Sequence, residues 1–131
     1  YLKTLAESLK IAAKINWIGR VPHSNTRSYY QKADVFVNLT PTGSFDKTML
    51  EAMACGDIVL ASNLALVEFL PQELSSLLIF KESDSNDLVS KLKRVLTLDD
   101  FAKDQIREQL RMVIVTHHSQ KQWVRNLVKN L

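Results

Sequence analysis

The sequence predicts an α/β domain: a parallel sheet of about four strands flanked by helices, with further helices at the C-terminal end. Three observations predict it. Short apolar runs at Val35–Leu39 and Ile58–Ser62 read as buried strands. Segments of helical period alternate with such runs up to Leu96. Beyond Asp99 only the helical period remains.

In chain order, Leu2, Leu5, Ala6, Leu9, Ala12 and Ala13 fall at helical spacing, which predicts one amphipathic helix over Tyr1–Lys14. Ile15–Gly19 is a short strand-like run closed by glycine. A turn through Pro22, His23 and Ser24 leads to a short helix over Thr26–Lys32, and the strand Val35–Leu39 follows. The polar loop Thr40–Ser44 opens a helix over Lys47–Cys55, with Asp46 or Ser44 as N-cap and Gly56 as its stop. Ile58–Ser62 is the next strand. A helical turn near Val67–Leu70 precedes a fourth strand, Leu77–Phe80, and Ser85 or Asn86 caps a helix reaching Leu96. Ile106, Leu110, Val113 and Ile114 form one later apolar stripe, and Trp123, Val124, Leu127, Val128 and Leu131 form another. The alternation implies a Rossmann-like sheet covered on both faces, built as one domain over residues 1–131.

Composition narrows the class. With 131 residues, 46% of them apolar and 24% charged, the chain has the make-up of an ordinary globular domain. No apolar run approaches the roughly 18 residues of a membrane span. Tyr1 falls inside a helical pattern, so a longer protein is expected, truncated here on its N-terminal side. Cys55 is the single cysteine and has no partner for an internal disulfide, which suits a cytoplasmic setting. The net charge of +3 leans mildly toward anionic partners. The three glycines, Gly19, Gly43 and Gly56, form neither a dinucleotide fingerprint nor a P-loop.

In sheets of this kind ligands bind where strands run into helices, so the segment Leu39–Asp46 is the first place to look for a site. The first-turn amides of the following helix favour an anion. At about 100° per residue, Lys47, Thr48 and Glu51 share one arc, while Met49, Leu50, Met53 and Ala54 occupy the opposite side. A cation, a hydroxyl and a carboxylate on one face suit phosphate and sugar hydroxyls. By themselves they equally describe a solvated face with a Lys47–Glu51 pair.

The run Leu50-Glu51-Ala52-Met53-Ala54-Cys55-Gly56, with Ala33-Asp34-Val35-Phe36-Val37 before it and Ile58-Val59-Leu60-Ala61-Ser62 after it, resembles glycosyltransferase family 4 (group 1). Trp17-Ile18-Gly19-Arg20-Val21-Pro22 and Tyr29-Tyr30 match the stretch that precedes it in that family. The likeness covers about residues 1 to 98. It implies the C-terminal, donor-binding half of a two-domain GT-B enzyme. Such enzymes transfer a sugar, with retention, from a nucleotide-diphosphate sugar to a sugar or lipid-linked acceptor held by the N-terminal domain. The resemblance implies no cofactor, no metal and no nucleic acid, and points to polysaccharide or glycoconjugate synthesis in bacteria.

Carried over residue by residue, Glu51 matches the second glutamate of the family's E-x7-E motif, which bonds the donor ribose. Phe45, Asp46, Lys47 and Thr48 match the segment that contacts donor sugar and diphosphate, and Gly19, Arg20 and Val21 match the turn that meets the base. Two departures stand out. Gly43 replaces the motif's first glutamate, and Thr42-Gly43-Ser44-Phe45-Asp46-Lys47 resembles a bacterial loop variant carrying a D-K pair. Asp46 is then the candidate for the sugar contact and Lys47 for the phosphates, the two also being the catalytic candidates. The family's Arg/Lys pair for the diphosphate lies ahead of Tyr1, so this chain alone is expected to be inactive. Rival readings are a non-catalytic nucleotide-sugar-binding module, a nucleotide-sugar epimerase of similar fold, and a structural domain without a ligand.

Several features carry simpler readings. His117 and His118 point apart on a helix and lack a third ligand, so they read as surface residues. His23 reads as a solvated loop residue, Cys55 as packing, and Trp17 and Trp123 as core. Tyr29 and Tyr30 read as a packing-and-rim pair. Lys103, Arg107 and Arg111, like Lys121, Arg125 and Lys129, recur every four residues and admit peripheral contact with anionic lipid at the inner face of a membrane. Asp100, Asp104 and Glu108 interleave with the first set and favour a solvated, salt-bridged face.

Overall fold

The computed structural model describes residues 1–43 and 46–117. The first helix, α1 (Leu2–Ser8), stops short of the predicted Lys14. Lys10 takes a left-handed conformation (φ 56°), and the Ile11 amide bonds back to the Ala6 carbonyl at 2.9 Å. That closure usually falls on glycine. A single 3-10 turn, Ala12–Lys14, follows. The helix buries only Ala6, leaving Leu2, Leu5 and Leu9 exposed.

Ile15 is extended, yet residues 15–19 form no strand among the described residues. Trp17 is 44% and Ile18 48% exposed, so the expectation of a core Trp17 is corrected. Apolar, extended residues become a strand only with a neighbour to share a hydrogen-bond ladder.

Helix α2 (His23–Tyr30) begins at His23, directly after Pro22, three residues earlier than expected. Proline has no amide hydrogen to donate and a fixed φ, which suits the residue just ahead of a helix. Strand β1 (Val35–Asn38) leads to α3 (Lys47–Cys55), capped by the Asp46 carboxylate on the Thr48 amide. Strand β2 (Ile58–Ala61) runs parallel to β1, pairing Val35 with Ile58 through Asn38 with Ala61. All four β2 residues are buried. Because successive strand residues point to opposite faces, β2 must be covered on both sides.

The sheet is smaller than the four strands predicted. Its third member is a single parallel bridge from Ala61 to Ile79, extended by the Phe80 amide to the Ala61 carbonyl at 3.0 Å. Pro71 starts helix α4 (Gln72–Leu78), which takes Leu77 and Leu78. The run Leu77–Phe80 therefore ends a helix and only then touches the sheet. Short apolar runs do not distinguish these states by period. A 3-10 segment, Leu64–Phe69, joins β2 to this helix.

Helix α5 (Ser85–Leu96) is capped by Asp84, not by Ser85 or Asn86: its side chain accepts from the Asn86 and Asp87 amides. Helix α6 (Asp100–His117) buries Ile106, Leu110 and Val113, with Ile114 half-buried. It packs on α3 and β2, while α4 and α5 pack on each other and on β2. The inner face of α3 is Met49, Ala52 and Met53, with Ala54 exposed, a rotation of the face expected for it. No described helix is long and apolar enough to cross a membrane. The stripe Trp123–Leu131, His118 and the basic set Lys121, Arg125 and Lys129 lie outside the described residues.

Gly56 ends α3 with φ 94° and has open space around a would-be Cβ. Gly56→Ala should therefore lose about 1–2 kcal/mol through backbone conformation alone. Urea unfolding of the variant measures it, and no change in midpoint would show that the turn relaxes freely.

Candidate functional site

At the end of β1 the chain enters the loop that the sequence marked, and a carboxylate organises it. Asp46 Oδ2 accepts from Asn38 Nδ2 and from Thr40 Oγ1, both at 2.8 Å. Its Oδ1 accepts from the Thr48 amide at 2.9 Å and Thr48 Oγ1 at 2.8 Å. Partial burial opposes ionisation, but these hydrogen bonds outweigh it and hold the group at about 2. The loop's other side is tied to the chain after β2. Leu64 donates its amide to Thr42 Oγ1 at 3.1 Å, and Asn63 Nδ2 reaches the Pro41 carbonyl at 3.4 Å.

Two expectations change as a result. A carboxylate with four bonds inside the protein has no acceptor site left for a sugar hydroxyl, so Asp46 is the pin of the loop. The same carboxylate already occupies an amide at the positive end of α3 and offsets its dipole there. Positive charge at this tip then rests on Lys47, which is exposed beside the exposed Thr48. Gly43 is exposed with φ 99°. Ser44 and Phe45 lie outside the described residues.

One turn further along α3, Glu51 is half-exposed and turned toward α2. Its Oε1 lies 3.0 Å from His23 Nε2, and its Oε2 accepts from the Tyr30 hydroxyl at 3.4 Å. The Lys47–Glu51 pair is replaced by this contact between helices. The expectation of His23 as a solvated loop residue is corrected: it is the first residue of α2 and, though 84% exposed, a partner of Glu51. Tyr30 sets its ring edge-on against Phe36 of β1, centroids 5.6 Å apart. Burial, then the Glu51 charge, pushes the Tyr30 phenol up, so it stays a donor.

These side chains border a cavity of about 160 Å³ lined by His23, Thr26, Arg27, Tyr30, Glu51 and Cys55. Thr26 and Tyr30 also wall a second concavity of about 340 Å³, otherwise lined by Ile18, Gly19, Val21, Tyr29 and Phe36. A polar cavity holding one carboxylate thus adjoins an apolar, aromatic one. Gly19 (φ 71°) and Val21 belong to the second; Arg20 lines neither. The thiol of Cys55 is pushed up by burial, then by the Asp57 charge, which fits a packing role better than a nucleophile.

His23, Thr26, Arg27 and Tyr30 were not singled out for this cavity, although a signal existed. They stand at i, i+3, i+4 and i+7, one face of a helix, and Glu51 and Cys55 stand at i and i+4 on the other. Placing the start of α2 at Thr26 hid the pattern. Among the described residues no group of three or more His, Cys, Asp or Glu converges as a metal site would require. Arg107 pairs with Asp104 at 2.9 Å on α6, as a solvated, salt-bridged face does.

The family model of glycosyl transferases group 1 matches residues 1–112. A catalogued phosphatidylinositol N-acetylglucosaminyltransferase chain from Arabidopsis thaliana is 26% identical over 98 residues, 74% of this chain and 21% of that protein. The GPI3 subunit of the Saccharomyces cerevisiae phosphatidylinositol N-acetylglucosaminyltransferase is 23% identical over 96 residues, 72% of this chain and 21% of that protein. Among solved structures, sucrose-phosphate synthase from Thermosynechococcus elongatus superposes with a TM-score of 0.78 at 21% identity. The superposition covers 99% of this chain and 34% of that one. This chain spans about a fifth of the length of the relatives it matches in sequence.

Proposed function

Because the chain belongs to the group 1 glycosyl transferases, we propose that it supplies the donor site of an enzyme moving a sugar from a nucleotide-diphosphate sugar to an acceptor. The observation that carries this reading is the Glu51 carboxylate, held at the mouth of a polar cavity that adjoins an aromatic one. An ionised carboxylate has about four acceptor sites. His23 and Tyr30 use one on each oxygen, which leaves one on each for the two hydroxyls of a ribose. The neighbouring concavity, walled by Tyr29, Tyr30, Phe36, Ile18 and Val21, suits the flat apolar faces of a base.

In this proposal Lys47 and Thr48 serve the diphosphate from the first turn of α3, and catalysis takes place against a further domain that binds the acceptor. That acceptor is a sugar or a lipid-linked sugar, the transfer retains configuration, and the setting is cytoplasmic or the inner face of a membrane. Positive charge beside the departing diphosphate stabilises the leaving group as the bond to the sugar breaks. Gly43 supports a second reading, a nucleotide-sugar-binding module without catalysis, since the position that carries the family's other glutamate has no side chain.

Uridine, guanosine and adenosine diphosphate sugars should be screened on the intact protein, where a bound donor raises the melting temperature by mass action. Glu51→Gln should weaken the best of them roughly 10- to 100-fold, the worth of hydrogen bonds to a charged group. Undiminished binding in that variant, or no response to any donor, would sink the reading. Slow hydrolysis of bound donor separates the enzyme from the non-catalytic module.

A further inference from the structure

Resting on the donor-site reading above, we propose that His23 is a positioning residue for Glu51 and, through it, a determinant of preference for ribose over sugars that lack the vicinal diol. A glutamate side chain has three rotatable bonds, and Glu51 keeps 34% of its side chain exposed. Left alone it samples rotamers that swing its oxygens away from the cavity. Two donors from one helix prevent this. His23 and Tyr30 lie seven residues apart, two turns along the same face of α2, and each takes a different oxygen of the carboxylate.

The donors are themselves placed. Tyr30 is half-buried and braced on Phe36. His23 sits in a first turn set by Pro22, where Thr26 Oγ1 bonds to the His23 carbonyl at 2.8 Å. The imidazole donates from Nε2 either as the cation or as the neutral tautomer protonated there. A glutamine at position 23 offers the same kind of N–H donor without the ring. The pair therefore fixes the carboxylate plane and leaves one acceptor site per oxygen turned to the cavity.

Calorimetric titration of the intact protein with uridine, guanosine and adenosine diphosphates, each beside its 2′,3′-dideoxy counterpart, tests this. The wild type should prefer the ribose form. His23→Ala should lower that preference about two- to fivefold, the scale of an exposed ion pair, while affinity for the dideoxy form stays unchanged. His23→Gln should restore the preference, and His23→Ala should have no further effect in a Glu51→Gln background. Equal losses for both forms, or an unchanged preference in His23→Ala while Glu51→Gln abolishes it, would overturn the positioning role and leave the donor site standing. A preference that survives Glu51→Gln, or a wild type without one, would remove the donor-site reading and this inference together.

Discussion

Replacing Asp46 by alanine is expected to lower stability by roughly 2–4 kcal/mol, one of the largest losses available on the surface of this domain. Two contributions add. The cap on the Thr48 amide is worth about 1 kcal/mol in a typical helix. The remainder comes from Asn38, whose side chain is buried and donates to Asp46. A buried donor left without an acceptor costs about 1–3 kcal/mol. Asp46→Asn keeps an N-cap oxygen but presents an amide group where Oδ2 accepted two bonds, so it should fall between the wild type and alanine.

The same carboxylate predicts an acid limb. Its folded value, about 2, lies below the ordinary 3.8, so the stability it contributes is present above pH 4 and lost as pH falls through about 2. Because the group is partly exposed, about 1–2 kcal/mol is a fair size after solvent screening. Chemical unfolding at pH 7 and pH 3 on wild type and Asp46→Ala measures both effects. A loss below about 0.5 kcal/mol at pH 7, the scale of an ordinary surface change, would mean that water replaces every bond the carboxylate makes.

Asp57→Asn is expected to do the opposite and stabilise the protein by about 1–3 kcal/mol at pH 8, with little effect near pH 4. Asp57 follows Gly56 at the foot of β2. It is 2% exposed, and its Oδ2 has no hydrogen-bond partner. Burial pushes the carboxyl up to about 6; Arg107 pulls the other way and is outweighed, while the Asp34 charge adds to the rise. A folded value above the unfolded 3.8 means that the native state holds the proton more tightly. Stability is then highest below about pH 4 and declines as pH rises through about 6, by up to roughly 3 kcal/mol. Asparagine cannot ionise and should flatten this decline. Urea midpoints at pH 5 and pH 8 for both proteins suffice, and an identical pH dependence in the two would show that Asp57 is ionised at little cost. Taken with Asp46, the two carboxylates place the stability maximum at about pH 4–6.

Much of the site was legible because its parts are local. Gly56 as a helix stop, Asp46 among the caps, and the three-residue arc of Lys47, Thr48 and Glu51 follow from short spacings and from helix geometry. What misled the reading was also local. Lys10 closes α1 with a left-handed backbone that carries no sequence mark, and Leu77–Phe80 suits a helix end as well as a strand. His23 escaped notice because its partner lies 28 residues away.

From the sequence by itself came the alternation of strand and helix, the position of the loop after β1, and the identity of Glu51 as the residue to watch. These depend on period, on turn chemistry and on a motif contiguous in the chain. Only the tertiary structure decided that Asp46 is consumed by four internal bonds, that His23 and Tyr30 clamp Glu51, and that Asp57 is a buried carboxyl with an unpartnered oxygen. Each of these depends on which donors and charges converge on one carboxylate from distant parts of the chain, and that is set by how the helices pack, not by the residues beside it.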